Sequence, residues 1–209
     1  MKARKISYTP ADDSQDGYAN DQTGATCTLA ASGPGDGMGH LVIILNNSAV
    51  DHSDNGETFV LTGTDAEGNA QTETIAGPAA SPATSTSTKY FKTLTSVVPS
   101  ITWVTDTYDV GWTDDAVTPC FPLNYRQKPF QVTVGLDITG TIDLTLQHCL
   151  QEIQAAAAST MKWWNHDSVV GVTADTNTNY TSPVTATRVL VNSLTTGASF
   201  DLYVNQAGA

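Results

Sequence analysis

Asp65, Glu67 and Asn69 stand at alternate positions around Gly68 in the stretch VLTGTDAEGNAQTETI, residues 60–75. Oxygen ligands in that spacing suggest a calcium loop. A helix-loop-helix calcium loop beginning at Asp65 needs glycine at its sixth position and a bidentate glutamate at its twelfth. The chain has Ala70 and Ala76 there. A turn suits the residues better. With Ala66, Glu67 and Gly68 as a three-residue hairpin loop, glycine takes the left-handed third position. Asp65 then faces Asn69, Thr62 faces Thr72 and Phe59 faces Ile75, and only Leu61 opposite Glu73 makes a poor cross-strand pair.

The other residues that could do chemistry are scattered. His40, His52, His148 and His166 include no pair at the i, i+4 spacing of helical zinc ligands. His148 and Cys149 are adjacent, so on a strand they point to opposite faces and cannot grip one ion. The run GPGDGMG, residues 33–39, lacks the preceding strand and following helix of a dinucleotide site and the Lys-Ser/Thr of a P-loop, and reads as a flexible loop. No GxSxG elbow occurs, and no serine or cysteine sits beside a recognisable base. Carboxylates are plentiful, so a glycosidase-like pair assembled in space stays open, but no pair stands out. These features imply no enzyme, no metal and no cofactor.

Two groups point instead to contact. Trp163 and Trp164, in KWWNH, are the densest aromatic cluster. Tryptophan serves in a core, at a subunit contact or as a sugar-stacking platform, and Tyr180 lies near enough in sequence to join the last of these. Lys2, Arg4 and Lys5 make a small basic amino end, either solvated or docked on an acidic partner.

These residues must be positioned by a chain of 209 residues with 14% charged side chains and a formal net charge of -12. Its surface must therefore be covered largely by uncharged polar groups, threonine among them, which suits pleated strands. The acidic balance argues against a nucleic-acid backbone as partner. No apolar run is long enough for a signal peptide or a membrane span, which implies a soluble product of the cytosol and no membrane partner. Cys27, Cys120 and Cys149, odd in number and without CxxC spacing, read as buried thiols.

Strand-length segments recur between turn signals: HLVIILNN, ETFVLTGT, AQTETI, TKYFKTLTSVV, TYDVGW, PFQVTVGLDI, TIDLTLQHC, TATRVLVNSL and SFDLYVNQ. That spacing predicts an all-β fold, a β-sandwich or jelly-roll-like architecture in two β subdomains. In FQVTVGLDITGTIDLTLQH, an Ile138-Thr139-Gly140 loop would pair Leu136 with Ile142, Val134 with Leu144 and Val132 with Leu146, giving a second hairpin with glycine again at the left-handed position. Only residues 149–162, with four consecutive alanines, predict a helix, a short connection packed by Leu150, Ile153 and Ala157. A mild boundary near residues 114–118 divides the chain into an arm over 1–20, an amino-terminal β subdomain over 21–115 and a carboxy-terminal β subdomain over 116–209.

Taken in order, GETFVLTGTDAEGNAQTETIAGP, STKYFKTLTSV, PLNYRQKPFQVTVGLDITGTIDLTLQH, WWNH, NYTSPVTATRVLVNS and FDLYVNQAG resemble a group of tailed-phage virion proteins, over roughly residues 20 to 207. QEIQAAAAST and the basic amino end depart from that pattern. The resemblance implies a small all-β structural protein of the virion, made in the bacterial cytoplasm and carrying no prosthetic group. The expected role is capsid decoration or cementing, as a homo-oligomer bound to the major capsid protein or other virion proteins. A head-tail junction or tail component is the alternative, and a carbohydrate-binding module for host attachment is another.

Overall fold

The computed structural model describes residues 3–54, 56–152 and 161–206. Every regular element among them is a β-strand, so the chain is all-β. It forms two compact units, one over Asp13–Thr113 and the other over Met1–Asp12 together with Asp114–Ala209. The sequence reading placed the cuts at 20 and 115 and set an arm before the first. Within that stretch β1 (Arg4–Tyr8) is instead a strand of the terminal unit, and β2 (Ser14–Gly24) opens the central one. Backbone pairing of Arg4–Tyr8 with residues 200–204 draws β1 in as a sheet edge.

The central unit continues with β3 (Gly39–Asn46), β4 (Thr58–Thr64), β5 (Ala70–Ala76), β6 (Ala83–Phe91), β7 (Thr93–Pro99) and the first eleven residues of β8 (Trp103–Val117). Its strands follow the order β2-β8-β3-β6 in one sheet and β5-β4-β7 in another. Inward residues of both sheets, among them Tyr18, Val42, Ile44, Phe59, Leu61, Val97, Trp103 and Tyr108, form one apolar cluster. Alternation along each strand puts these residues on one face.

The first hairpin has the expected register: Phe59 opposite Ile75, Thr62 opposite Thr72 and Leu61 opposite Glu73. Gly68 has φ +89°. The awkward Leu61–Glu73 pair is resolved by Glu73 itself, whose carboxylate accepts bonds from Thr88 N, Thr88 Oγ1 and Lys89 N at 2.7–2.9 Å, while Leu61 is fully buried.

The terminal unit adds to β1 the last four residues of β8 and β9 (Phe121–Pro122), β10 (Val132–Thr139), β11 (Ile142–Cys149), β12 (Trp163–Asn165), β13 (Thr176–Tyr180), β14 (Ala186–Leu194) and β15 (Ser199–Gln206). One sheet runs β1-β15-β10-β13. In the other, β11 lies between β12 and β14, and β14 also pairs with β9 and the end of β8.

The second expected hairpin does not form. Val132, Val134 and Leu136 are buried on β10, and Ile142, Leu144 and Leu146 on β11, as their alternation requires. The two strands nevertheless lie in different sheets: Val134 pairs with Val204 and Thr178, and Leu144 with Val191. Gly140 keeps its left-handed backbone at φ +83°, but at a corner between sheets. The chain makes a second such corner between β14 and β15, where Ala198 N donates to Thr195 O at 3.0 Å. The corners pack together: Thr195 N donates to Thr141 O at 2.9 Å, and a side chain on Gly140 would meet Ala198 Cβ at 3.2 Å. The second corner thus donates to the first, and both apolar stripes turn toward the unit's interior.

No helix occurs among the described residues. At the ends of the segment expected to be helical, Cys149 closes β11, 150–152 and 161–162 are irregular, and Trp163 opens β12; residues 153–160 lie outside the described residues. Cys149 is ladder-paired to both Trp163 and Ala186, so the helix cannot begin there.

Candidate functional site

The acidic residues of the first turn serve the turn. Asp65 is buried, with Oδ1 accepting from Glu67 N at 3.0 Å and Asn69 N at 2.8 Å, and Oδ2 accepting from Asn69 Nδ2 at 3.1 Å. A side-chain carboxylate that satisfies backbone N–H groups two and four residues on is an Asx-type turn fastener. Among the described residues no three His, Cys, Asp or Glu side chains come together as a metal-ligand group.

The histidines divide in the same way. His40 is fully buried, with Nδ1 2.8 Å from Thr113 O and Nε2 2.7 Å from Asp36 Oδ2. Asp36 Oδ1 also accepts from Met38 N at 2.9 Å, so the glycine-rich run is a loop pinned at its centre. His52 stacks on Trp103 with ring centroids 3.6 Å apart and bonds Glu57 through Nδ1. Both fasten loops to the core of the central unit. All three cysteines are thiols: Cys149 is buried, whereas Cys27 and Cys120 are only half-buried. Burial pushes the Cys27 thiol up to about 11, which keeps it protonated and unreactive at neutral pH.

Trp163 and Trp164 sit side by side on β12 and, as neighbours on a strand, look to opposite faces. Trp164 pairs with His148 in the ladder and stacks on its ring at 6.4 Å. Tyr180 meets His148 and His166 edge-on at 5.5 and 4.9 Å and is 5% exposed. Desolvation pushes the Tyr180 phenol up to about 12, and burial first, then His166, lowers His148. Trp164 and Tyr180 are therefore brought together through His148 as a packed aromatic group. Trp163 stands apart under the Arg188 guanidinium, 4.2 Å from its ring centroid.

The basic amino end is held as a strand. Lys5 Nζ lies 2.6 Å from Asp201 Oδ2 and 5.6 Å from the Tyr203 ring centroid, and Arg4 lies over Phe121. Lys2 lies outside the described residues.

An open feature that no motif marks lies on the outward face of the β1-β15-β10-β13 sheet. A groove of about 280 Å³ is lined by Thr133, Gly135, Asp137, Asp175, Asn177, Tyr203 and Asn205 among others. Gly135 pairs with Tyr203 on one side and Asn177 on the other, so the absent side chain leaves a floor between an aromatic wall and an amide wall. The available signal was a lone glycine inside a strand, which marks a bulge or a close approach, together with a tyrosine at an outward position of β15. Comparison of the chain with models of known families, with curated proteins and with solved structures returned no match.

Proposed function

We propose that the chain is a non-enzymatic structural protein of a tailed-phage virion, a decoration or cement protein bound across neighbouring major capsid subunits as a small homo-oligomer. The observation that supports it most is the outward face of the β1-β15-β10-β13 sheet. Its register sets Lys5, Tyr203, Gly135 and Asn177 in one row, with Asp201 and Asp137 in the next and Asn205, Thr133 and Asn179 beyond. That is a pleated surface of mixed polar groups around one exposed aromatic, backed by a buried apolar face, and such composition suits a wet, non-obligate contact. The ordered resemblance to virion proteins favours the same reading. Within it, each unit is a β-sandwich of jelly-roll kind, a reading supported in the central unit by the apolar cluster its two sheets share. Modest contacts become stable when several copies act on one lattice.

Co-sedimentation of the purified full chain with mature and immature empty shells of its phage tests this. Saturable binding in proportion to the capsid lattice, stronger on mature shells, is the expected result. Binding to neither shell would overturn decoration and direct attention to the neck and tail.

A further inference from the structure

The geometry points to a second activity on the same sheet face: the groove floored by Gly135 binds a single saccharide ring. The ring of Tyr203 is 37% exposed. β15 lies between β1 and β10, so Lys5 packs against the tyrosine from the β1 side while the groove opens on the β10 side. The ring is thus held upright by the Lys5 contact and presents its other side to the groove. The Lys5–Asp201 bridge fixes that lysine in turn.

The floor is apolar and the rim is not. Gly135, with Leu136 beneath, supplies no polar side chain, and around it stand Asp137, Asp175, Asn177, Asn205 and Thr133. Asp175 Oδ1 accepts from Ile138 N at 2.8 Å, and Thr133 Oγ1 donates to Asn179 Oδ1 at 2.7 Å, so two rim residues are anchored before any ligand arrives. Carboxylates accept hydrogen bonds only, whereas amides both donate and accept. A rim of both kinds suits hydroxyl groups, which do both as well. A pyranose offers that combination: a C–H face for the tyrosine and the glycine floor, and a belt of hydroxyls for the rim. The volume fits one ring, as it lies just under the roughly 300 Å³ at which pockets for drug-sized ligands begin.

Gly135 also provides the test. A Cβ there would meet only Tyr203 Cβ at 3.7 Å and Thr176 O at 3.9 Å, ordinary contacts, so Gly135→Val fills the floor with a strand-favouring residue and leaves the sheet intact. The isotope-labelled full chain is titrated with methyl glycosides of glucose, galactose, mannose and N-acetylglucosamine while backbone amide signals are followed. Saturable shifts at Gly135, Asn177, Tyr203 and Asn205 with at least one glycoside are expected. Gly135→Val and Tyr203→Ala should each weaken that binding by about tenfold or more. The inference is overturned by no shifts at these amides, by shifts that survive both substitutions, by shifts centred on Trp163 and Trp164, or by a response to tetralysine with none to any glycoside. Shell binding is measured separately, so failure here leaves the decoration reading standing, and the reverse holds as well.

Discussion

Two turns in this molecule use the same residue in the same backbone state and do different things. Gly68, at φ +89°, closes a hairpin whose two strands pair with each other through seven positions. Gly140, at φ +83°, ends one strand and begins the next in another sheet. The difference lies in what surrounds them. Around Gly68 a buried aspartate draws the chain back on itself by accepting three local N–H bonds. Around Gly140 the local partner is missing and the nearest one is remote: Thr195 reaches Thr141, and Ala198 packs on the glycine. A left-handed glycine fixes the turn and leaves the pairing to side chains and to the rest of the sheet.

Substitution can break that comparison. Gly140→Ala should cost about 2 kcal/mol, combining the left-handed penalty with the crowding against Ala198. Gly68→Ala meets nothing within 4 Å and should cost about 1 kcal/mol, the backbone term alone. Urea unfolding of both variants checks the order, and equal losses would mean that the packed corner adds nothing.

The smallest effect is electrostatic and concerns the edge that carries the groove. A hydrogen bond from Lys5, then one from Ser7, holds the Asp201 carboxyl below its ordinary value. Its contribution is therefore present above the unfolded carboxylate pKa and is lost as pH falls through the lower folded value. The Asp201 hydrogen bond raises Lys5, whose contribution is complete below the ordinary lysine value and is lost as pH rises through the folded one. The pair lies at the surface edge of the sheet, with Lys5 about half exposed, so the effect is small and weakened by salt. Melting temperatures on acid titration below about pH 4 should fall slightly more steeply for the wild type than for Lys5→Gln.

How much of this was legible follows from what periodicity reports. Alternation of Val132, Val134 and Leu136, or of Ile142, Leu144 and Leu146, tells which face is buried and is silent about which strand lies alongside. The same silence hid the break at Lys92, where TKYFKTLTSVV divides into β6 and β7 in different sheets. β13, TNTNY, was hidden because only Thr178 and Tyr180 turn inward and the rest is polar. Of the residues singled out for contact, Arg4 and Lys5 are fixed to a sheet edge, and Trp164 and Tyr180 pack around His148. The groove was unread because it is made by three strands that are distant in sequence, with a glycine contributing only space.

The sheet face, the groove and the corner all depend on β10 lying between β13 and β15. Backbone cross-strand nuclear Overhauser contacts measure this directly. Contacts from Val134 to Val204 and Thr178, with Leu144 linked to Val191, are the predicted result; backbone contacts between Val134 and Leu144 would restore a local hairpin and contradict the account.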